Sequence, residues 1–298
     1  MDRKLTANEK VEYRKQHKGP SHTASGLWRI SYKALSVWAF IITFLATPYI
    51  VETVVTKLGL SSIENLELSS NHDSDHATLR VYAARTWGPK GIFAVHSWIA
   101  MKKEHSEKFE VVQVIGWRQD ALGNVLFRET NVPIDSWWGN EATLLLDLHG
   151  PEVASIIDKV DAAIMTYPWK QEYTLYPGPN SNTFTAWIGL QVPEMGLDLP
   201  ATAIGKDWRP LAHSLGPSAS GTGIQASLYG LLGTSVGSEE GLELNILGLN
   251  FELDLLDMAL ELPLFGRYEA GYLVCFILLW VLVRKWLKKV GSKSISIV

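Results

Sequence analysis

The chain has only one cysteine among its 298 residues, Cys275. Cys275 lies inside an apolar stretch near the C-terminus, so the long segment between residues 52 and 269 contains no thiol. Disulfide bonds, thiolate catalysis and cysteine-ligated zinc are therefore excluded from that segment.

Charged side chains are missing from two long stretches. Residues 34–50 contain none, and the stretch extends to Val55 if Glu52 lies at the interface. The second stretch covers residues 268–286, and its centre from Ala270 to Val283 is uncharged, so Arg284 and Lys285 would extend toward the headgroups. Tryptophan and tyrosine residues lie near the ends of both stretches, as is typical of membrane anchors. Each is long enough to cross a hydrocarbon core of about 30 Å. We predict transmembrane helices over 34–55 and 268–286. The first is expected to be a retained anchor, because no A-x-A cleavage pattern follows Ile50.

The charges are distributed asymmetrically around these stretches. Lysine and arginine outnumber aspartate and glutamate by 8 to 3 in residues 1–33 and by 5 to 0 in residues 284–298. Residues 52–269 instead contain 14 basic and 28 acidic side chains, a net charge of −14. Because short basic flanks stay on the cytoplasmic side, we expect both termini there and the acidic segment across the membrane. A surface this acidic repels nucleic acid, so no nucleic-acid partner is predicted.

Composition divides the chain into seven segments. Two of them are the apolar stretches, and the others differ in charge and in glycine content. We predict a basic cytoplasmic tail (1–33), a transmembrane helix (34–55), a linker (56–77), an α+β domain (78–214), a glycine-rich β lobe close to the membrane (215–267), a transmembrane helix (268–286) and a second basic tail (287–298).

Short β-type runs dominate the first part of the α+β domain. LRVYAART, GIFAVHSWIAM and FEVVQVIGW are predicted to be adjacent antiparallel strands, and Leu144–Leu148 a further one. Apolar residues at helical spacing after Pro151 predict a helix that ends near Tyr167. The run EYTLYPG is predicted to be a brief strand, and TFTAWIGLQV a second helix ended by Pro193. The expected fold is an antiparallel sheet with packed helices.

The β lobe shows strict alternation of apolar and polar residues. Leucine or phenylalanine occupies every second position from Leu247 to Leu255, which is typical of a half-buried strand. Leu242, Leu244 and Ile246 alternate in the opposite phase. A turn or bulge is therefore expected near Ile246 and Leu247.

The sharpest candidate for chemistry pairs His96 with Ser181, which lies in the turn PGPNSNTF before the second predicted helix. A nucleophile at a helix N-terminus gains from the helix dipole and from free N–H groups that hold an oxyanion. His96 would be the general base, and Glu110 or Gln113 would orient its imidazole. The competing interpretation is structural, because Asn180, Ser181 and Asn182 are residue types that cap helices.

Other side chains are weaker candidates. Asn180, Asn182 and Lys206 are candidate ligand-binding residues. His72, Asp73, Asp75 and His76 have metal-capable side chains, although a solvated acidic linker is the commoner outcome. No cofactor is predicted, because the glycine-rich segment 216–223 lacks the lysine of a phosphate loop. Core packing accounts for most of the domain's eight tryptophans more simply than a sugar-stacking platform: Trp87, Trp98, Trp117, Trp137, Trp138, Trp169, Trp187 and Trp208.

Several sequence blocks carry a family resemblance. GIFAVHSWIAMK, WWGNEATLLLDLHG, YPGPNSNTFTAWI and VPEMGLDLPATAIGKDW resemble the bacterial domain-of-unknown-function family 3750, over about Thr78 to Gly266. This family has no established activity. More loosely, a strand histidine followed by Asn-Cys at a helix start is similar to circularly permuted papain-like (NlpC-type) hydrolases and acyltransferases. Here His96 and Asn180 keep that order, but Ser181 replaces the cysteine, which puts the activity in doubt.

These observations predict a bacterial inner-membrane protein whose central domain is periplasmic and of permuted papain-like type. The expected function is a non-catalytic role in the envelope, namely binding of a peptide, glycan or lipid-linked ligand or of another membrane protein. One alternative is a serine-dependent hydrolase or acyltransferase acting on envelope amides or esters. Another is a structural subunit of a membrane complex, with the two spans packed against partner helices.

Overall fold

The computed structural model describes residues 23–57, 76–119 and 123–295. These residues contain four α-helices and thirteen β-strands. They fall into two compact units, one formed by the two ends of the chain and the other by the described residues between Ser61 and Gly271. Each unit is described by itself.

The first unit holds the two longest helices. Helix α1 spans Thr23–Lys57, and helix α4 spans Ala270–Ile295, of which all but the first two residues belong to this unit. Both are long and apolar enough to cross a membrane, with mean hydropathies of 1.9 over Lys33–Val51 and 1.7 over Ala270–Lys289. The ring centroid of Phe276 in α4 lies 5.1 Å from those of Phe40 and Phe44 in α1. Both predicted spans are helical, except that residues 268 and 269 precede α4.

The second unit begins with a six-stranded antiparallel sheet in the order β4-β3-β2-β1-β6-β5. Strand β1 is central to this sheet. All of its residues pair with β2 on one side, and residues 78–84 pair with β6 on the other, with a register shift between Val81 and Tyr82. The strands are β1 (Thr78–Arg85), β2 (Val95–Lys102), β3 (Glu110–Val114), β4 (Leu126–Thr130), β5 (Ser136–Trp137) and β6 (Asn140–His149).

Two helices cover one face of this first sheet. Helix α2 spans Val153–Thr166 and helix α3 spans Ser181–Gln191. Fully buried side chains such as Val81, Ile99 and Phe184 fill the space between the helices and the sheet. The opposite face carries a smaller cluster around Trp98 and Tyr82. The predicted α+β class with an antiparallel sheet and packed helices is therefore confirmed.

A second, seven-stranded antiparallel sheet follows in the simple order β13 to β7, so each strand pairs with its neighbours in sequence. Short turns suffice for this topology. The strands are β7 (Leu215–Pro217), β8 (Ile224–Leu228), β9 (Leu232–Gly237), β10 (Gly241–Ile246), β11 (Leu249–Asp254), β12 (Ala259–Leu262) and β13 (Gly266–Tyr268).

The turn expected near Ile246 and Leu247 is present. Ile246 pairs with Leu249, so Leu247 and Gly248 form a two-residue hairpin loop between β10 and β11. Both loop residues have positive φ, 52° for Leu247 and 73° for Gly248. This is the backbone conformation of a type I′ turn, which matches the twist of the flanking strands.

Two predictions of local structure are wrong. Residues 91–94 do not belong to β2, because the segment Gly88–Ile92 forms a short 3-10 helix and the strand begins at Val95. The run EYTLYPG is not a strand either. Pro177 and Pro179 lack the N–H group that a sheet ladder requires, and a hydrogen bond of 2.8 Å from Thr174 N to Pro179 O closes this segment into a loop.

Candidate functional site

A cavity of about 700 Å³ opens at the end of the first sheet where β2 and α3 begin. Its volume is within the range of small-molecule sites. Aromatic rings form most of its wall, and His96, Asn180, Ser181 and Asn182 lie at its floor. The remaining lining residues include one cation and several large apolar side chains: Trp87, Lys90, Phe93, Trp117, Trp137, Trp138, Tyr173, Leu175 and Tyr176.

His96 is held firmly within the floor. Its Nε2 atom lies 3.0 Å from Gln113 Oε1, and its ring stacks on Trp137 with a centroid separation of 3.9 Å. Burial lowers the pKa of His96 to about 4, and the hydrogen bond with Gln113 only partly opposes this. The imidazole is therefore neutral at physiological pH. With Nε2 donating to the Gln113 carbonyl oxygen, Nδ1 is the unprotonated nitrogen.

Ser97, the next residue, identifies the face of the sheet on which His96 lies. The Ser97 hydroxyl forms hydrogen bonds of 2.9 Å with Asn182 Oδ1 and Thr185 Oγ1 on helix α3. Successive side chains of a strand point to opposite faces, so His96 points away from the face that α3 covers. Among the described residues, no hydrogen bond joins His96 to Ser181. The two side chains line the same cavity without forming a nucleophile–base pair.

Asn180 occupies the N-cap of helix α3. Its Oδ1 accepts hydrogen bonds from the backbone N–H groups of Asn182 (2.9 Å) and Thr183 (3.2 Å), while Asn180 N donates to Thr183 Oγ1. This reciprocal arrangement is a capping box, and it stabilises the start of the helix. The N–H groups expected to hold an oxyanion after Ser181 are therefore already bonded within the protein.

The amide side chains of Asn180 and Asn182 also bond to backbone carbonyls. Asn180 Nδ2 donates to Leu175 O and Ile204 O, and Asn182 Nδ2 donates to Val95 O and Ile204 O. These bonds join the start of α3 to the start of β2 and to the loop around residue 204. Both asparagines thus line the cavity while fixing the shape of its floor.

The structure also distinguishes the two candidate orienting residues. Gln113 bonds to His96, as described above. Glu110 lies at the opposite end of β3, where its carboxylate pairs with Arg128 at 2.6 Å. Gln113 is therefore the residue that fixes the imidazole ring.

Lys206 lies apart from this cavity floor, under the polar face of the second sheet. Its Nζ atom donates to Leu199 O and Glu243, and it lies 3.6 Å from Glu252 Oε2. Burial alone would lower the pKa of Lys206, but the negative charge of Glu243, the largest opposing influence, holds it well above its ordinary value. Lys206 is therefore charged and acts as the counter-ion of buried acids.

Two acids beside Lys206 are strongly perturbed. Burial raises the pKa of Glu252 to about 9 and that of Asp198 to about 7, against the opposing effect of the lysine charge. Neither oxygen of Glu252 has a hydrogen-bond partner within the described chain. Glu252 is therefore protonated and neutral at physiological pH.

The candidate metal ligands His72, Asp73 and Asp75 lie outside the described residues. His76 is described, and Lys102 Nζ donates to its backbone carbonyl at 3.1 Å. Residues 23–57, 76–119 and 123–295 contain no group of three or more side chains suited to a metal ion.

The aromatic wall was not predicted from the sequence. Core packing was the preferred interpretation of the tryptophans, yet Trp87, Trp117 and Trp138 are each exposed by more than half, at 68%, 59% and 64%. A usable signal was present in the dipeptide Trp137-Trp138, because adjacent residues of an extended segment cannot both point into one core.

Residues 76–208 match the model of a family described as "Protein of unknown function (DUF3750)". No curated protein and no solved structure matches the chain. The match includes the cavity floor and Lys206 but ends before the second sheet. It confirms the family resemblance seen in the sequence, whereas the looser likeness to permuted papain-like hydrolases gains no support from it. Over residues 76–208, the chain is therefore similar to the DUF3750 family of proteins of unknown function.

Proposed function

We propose that this protein is a membrane-anchored, non-catalytic binding protein of the bacterial envelope whose aromatic cavity holds the apolar part of a lipid-linked ligand. The observation that carries this proposal is the composition of the cavity. A wall of aromatic rings surrounds a floor whose only histidine is neutral. Such a cavity favours an acyl or prenyl group, because transfer of apolar surface out of water is the main gain available there.

A glycan fits this cavity less well. Sugar recognition needs many free hydrogen-bonding groups, since hydroxyl groups buried without partners are costly. In the floor, Asn180 and Asn182 already bond to the backbone, and His96 Nε2 bonds to Gln113. The Ser181 hydroxyl and His96 Nδ1 remain to bond a single polar group next to the apolar chain.

The geometry also favours binding over serine-dependent hydrolysis or acyl transfer. His96 lies on the face of the first sheet that α3, which begins at Ser181, does not cover, and the expected oxyanion donors bond to Asn180. A serine nucleophile needs a base within hydrogen-bonding distance, because its hydroxyl is a weak nucleophile on its own.

For the membrane arrangement, we propose that α1 and α4 both span the inner membrane, with basic cytoplasmic tails and a periplasmic domain. The apolar helices support the two spans, and the charge asymmetry of the flanks supports the orientation. Attachment of an impermeant biotin reagent to either tail in intact cells would contradict this orientation.

The binding proposal is tested by photo-crosslinking. The full chain, reconstituted in nanodiscs, is incubated with a diazirine-bearing fatty acid, irradiated and digested for peptide mapping. We expect adducts on peptides that contain Trp117 and Trp138, in addition to adducts on the spans. Trp138→Ala should reduce cavity labelling, because it removes a large part of the apolar wall. Met165→Ala is the matched control, since Met165 is 75% exposed and lies outside the cavity.

Adducts confined to the spans would contradict the binding proposal. The hydrolase alternative has its own test, labelling with a fluorophosphonate probe compared between the wild-type chain and Ser181→Ala. We expect no labelling of either chain. Labelling of the wild type that is lost in Ser181→Ala would instead establish Ser181 as a nucleophile and reject the non-catalytic role.

A further inference from the structure

The second sheet has an outer face without a single charged side chain. Strand pairing arranges its residues in rows, and one row runs Pro217, Ile224, Val236, Leu242, Leu253 and Leu260 across six strands. Ten large apolar residues on this face are exposed, from 39% for Phe251 to 71% for Leu215, whereas Leu249, Leu260 and Leu262 are partly buried. We call this surface the outer face: Leu215, Pro217, Ile224, Ala226, Leu228, Leu232, Thr234, Val236, Leu242, Leu244, Ile246, Leu249, Phe251, Leu253, Leu260 and Leu262.

The other face of the same sheet is polar and buried. Glu243, Asn245, Asn250 and Glu252 are each exposed by less than 5% (4%, 3%, 1% and 1%). Asn245 and Asn250 both donate to Asp207 Oδ2, at 2.9 and 2.6 Å. The sheet is therefore polar on its inner side and apolar on its outer side, the reverse of a sheet that faces water.

The exposure of the apolar side of the sheet indicates what surrounds the outer face. Monomeric soluble proteins rarely expose a large continuous apolar patch, because its hydration is unfavourable. A face made of leucine, isoleucine, valine and phenylalanine without charges has the composition of a lipid-facing surface.

The chain connects this sheet directly to a span-length helix. Strand β13 ends at Tyr268 and helix α4 begins at Ala270, so only Glu269 lies between them. Two residues of chain reach at most about 7 Å. Strand β13 is an edge strand of the sheet, so this edge is tethered closely to the start of α4.

A turn at this end of the sheet extends the apolar surface. Strand β12 pairs with β13 so that Leu260 lies opposite Tyr268, which puts the β11–β12 turn at the end from which α4 emerges. Leu255, Leu256 and Met258 in this turn are 66%, 73% and 66% exposed. The fourth residue of the turn, Asp257, is paired with Arg267 at 2.7 Å. Three exposed apolar side chains of the turn thus match the apolar interior of a bilayer better than bulk water.

We infer that the outer face of the second sheet lies against the acyl chains of the leaflet next to α4, so that the sheet is a membrane-embedded platform and not a water-exposed lobe. This inference rests on the proposed membrane position of α4, but it does not depend on the ligand of the cavity. Tyr176, on the cavity wall, donates from its hydroxyl to Leu247 O at the β10–β11 turn (2.7 Å), so the platform adjoins the cavity.

The test uses the single native cysteine as an internal standard. Cys275 in α4 is labelled with the environment-sensitive fluorophore NBD in the wild-type chain, which is reconstituted in vesicles of phosphatidylethanolamine and phosphatidylglycerol. In a Cys275→Ser background, Leu244→Cys reports on the outer face. Ser155→Cys on the exposed side of α2 is the matched control. Each sample is compared with vesicles that contain phospholipid brominated on its acyl chains.

We expect label at Leu244→Cys to emit at shorter wavelength than label at Ser155→Cys and to lose most of its emission in brominated lipid, as label at Cys275 does. If label at Leu244→Cys emits as it does in water while label at Cys275 is quenched, this inference is overturned but the proposed span stands. Unquenched Cys275 would reject the span itself. If label at Leu244→Cys is shielded but unquenched, and the unlabelled variant forms disulfide dimers when it is oxidised with copper phenanthroline, a second copy covers this face and the inference is overturned. Val236→Cys on the neighbouring strand replaces Leu244→Cys if that variant fails to fold.

Discussion

The two sheets of the central unit bury opposite kinds of side chain. In the first sheet, most side chains facing the helices are apolar, and Ile99 and Val81 are fully buried. In the second sheet, the buried side chains are Glu243, Glu252 and their polar neighbours, whereas the leucines point outward. Both sheets are antiparallel and alternate with period two, so the backbone alone does not determine which set is buried.

The difference shows what stabilises each half of the unit. The first sheet gains from apolar burial between strands and helices, which is non-directional and tolerant of small shifts. The buried side of the second sheet depends on hydrogen bonds and on Lys206 as the central cation. Buried polar networks are stable only when nearly every group has a partner. Substitutions in the two sheets are therefore expected to act in different ways.

The largest effect is expected for Lys206→Met. This change leaves the buried Glu243 carboxylate without its cation, and the loss of one partner from a buried ion pair costs about 3–5 kcal/mol of unfolding free energy. Urea titration of the full chain in detergent micelles, read by pulse proteolysis of the central unit, measures the loss. Lys159→Met is the matched control, because Lys159 pairs with Glu194 on the surface, where both side chains are about half exposed (53% and 49%). Equal urea midpoints for the two variants would show that the Lys206 network contributes little to stability.

Ile99→Ala is the corresponding change in the first sheet. Ile99 is fully buried between β2 and the helices, so truncation leaves a cavity and costs about 2–5 kcal/mol. The same urea titration measures this effect, which should depend little on pH because no titratable group is removed. A pH-dependent loss would indicate that the polar network of the second sheet extends to this core.

The second sheet is expected to make stability depend on pH. The pKa of Glu252 is about 9 in the folded protein, above its ordinary value, so its contribution is fully present below pH 4.5 and is lost as the pH rises through 9. One such proton changes the unfolding free energy by at most about 1.4 kcal/mol per pH unit. In Glu252→Gln, stability should therefore fall less steeply between pH 5 and pH 9 than in the wild type.

Glu194→Gln is the control for this pH series. The pKa of Glu194 lies below its ordinary value because Lys159 donates a hydrogen bond to it, so Glu194 is ionised throughout the same range. Parallel wild-type and Glu252→Gln profiles would mean that Glu252 is not the group that takes up the proton on folding.

The sequence predicted most of the first sheet because its signals are local. Alternation in LRVYAART and the helical spacing after Pro151 act within a few residues. The segments wrongly predicted to be strands are those where local turn formation overrides β propensity. They are the 3-10 helix before Val95 and the loop that contains the prolines at 177 and 179. Loops of this kind are determined by backbone constraints that apolar periodicity does not report.

The candidate site was harder to predict because it depends on which face of β2 the helices cover. His96 and Ser97 are adjacent, and a shift of one residue in phase exchanges their environments. Ser97 faces α3, so the His96 side chain lines the cavity and does not bond to Ser181. In the second sheet, alternation predicted the strands, but only the long-range partner Lys206 shows that the polar side is the buried one.

The smallest effect is expected for Leu244→Ala, the outer-face counterpart of Ile99→Ala. If acyl chains cover this face, lipid flows into the space that the missing methyl groups leave, so no cavity forms and only a small transfer term is lost. The change in unfolding free energy of the chain in lipid nanodiscs should then be within about 0.5 kcal/mol, like that of a surface substitution. A loss as large as that of Ile99→Ala would require a rigid protein partner packed on Leu244, because a folded neighbour cannot move into the space that the truncation leaves. Measured side by side, the two truncations therefore distinguish a fluid neighbour from a folded one.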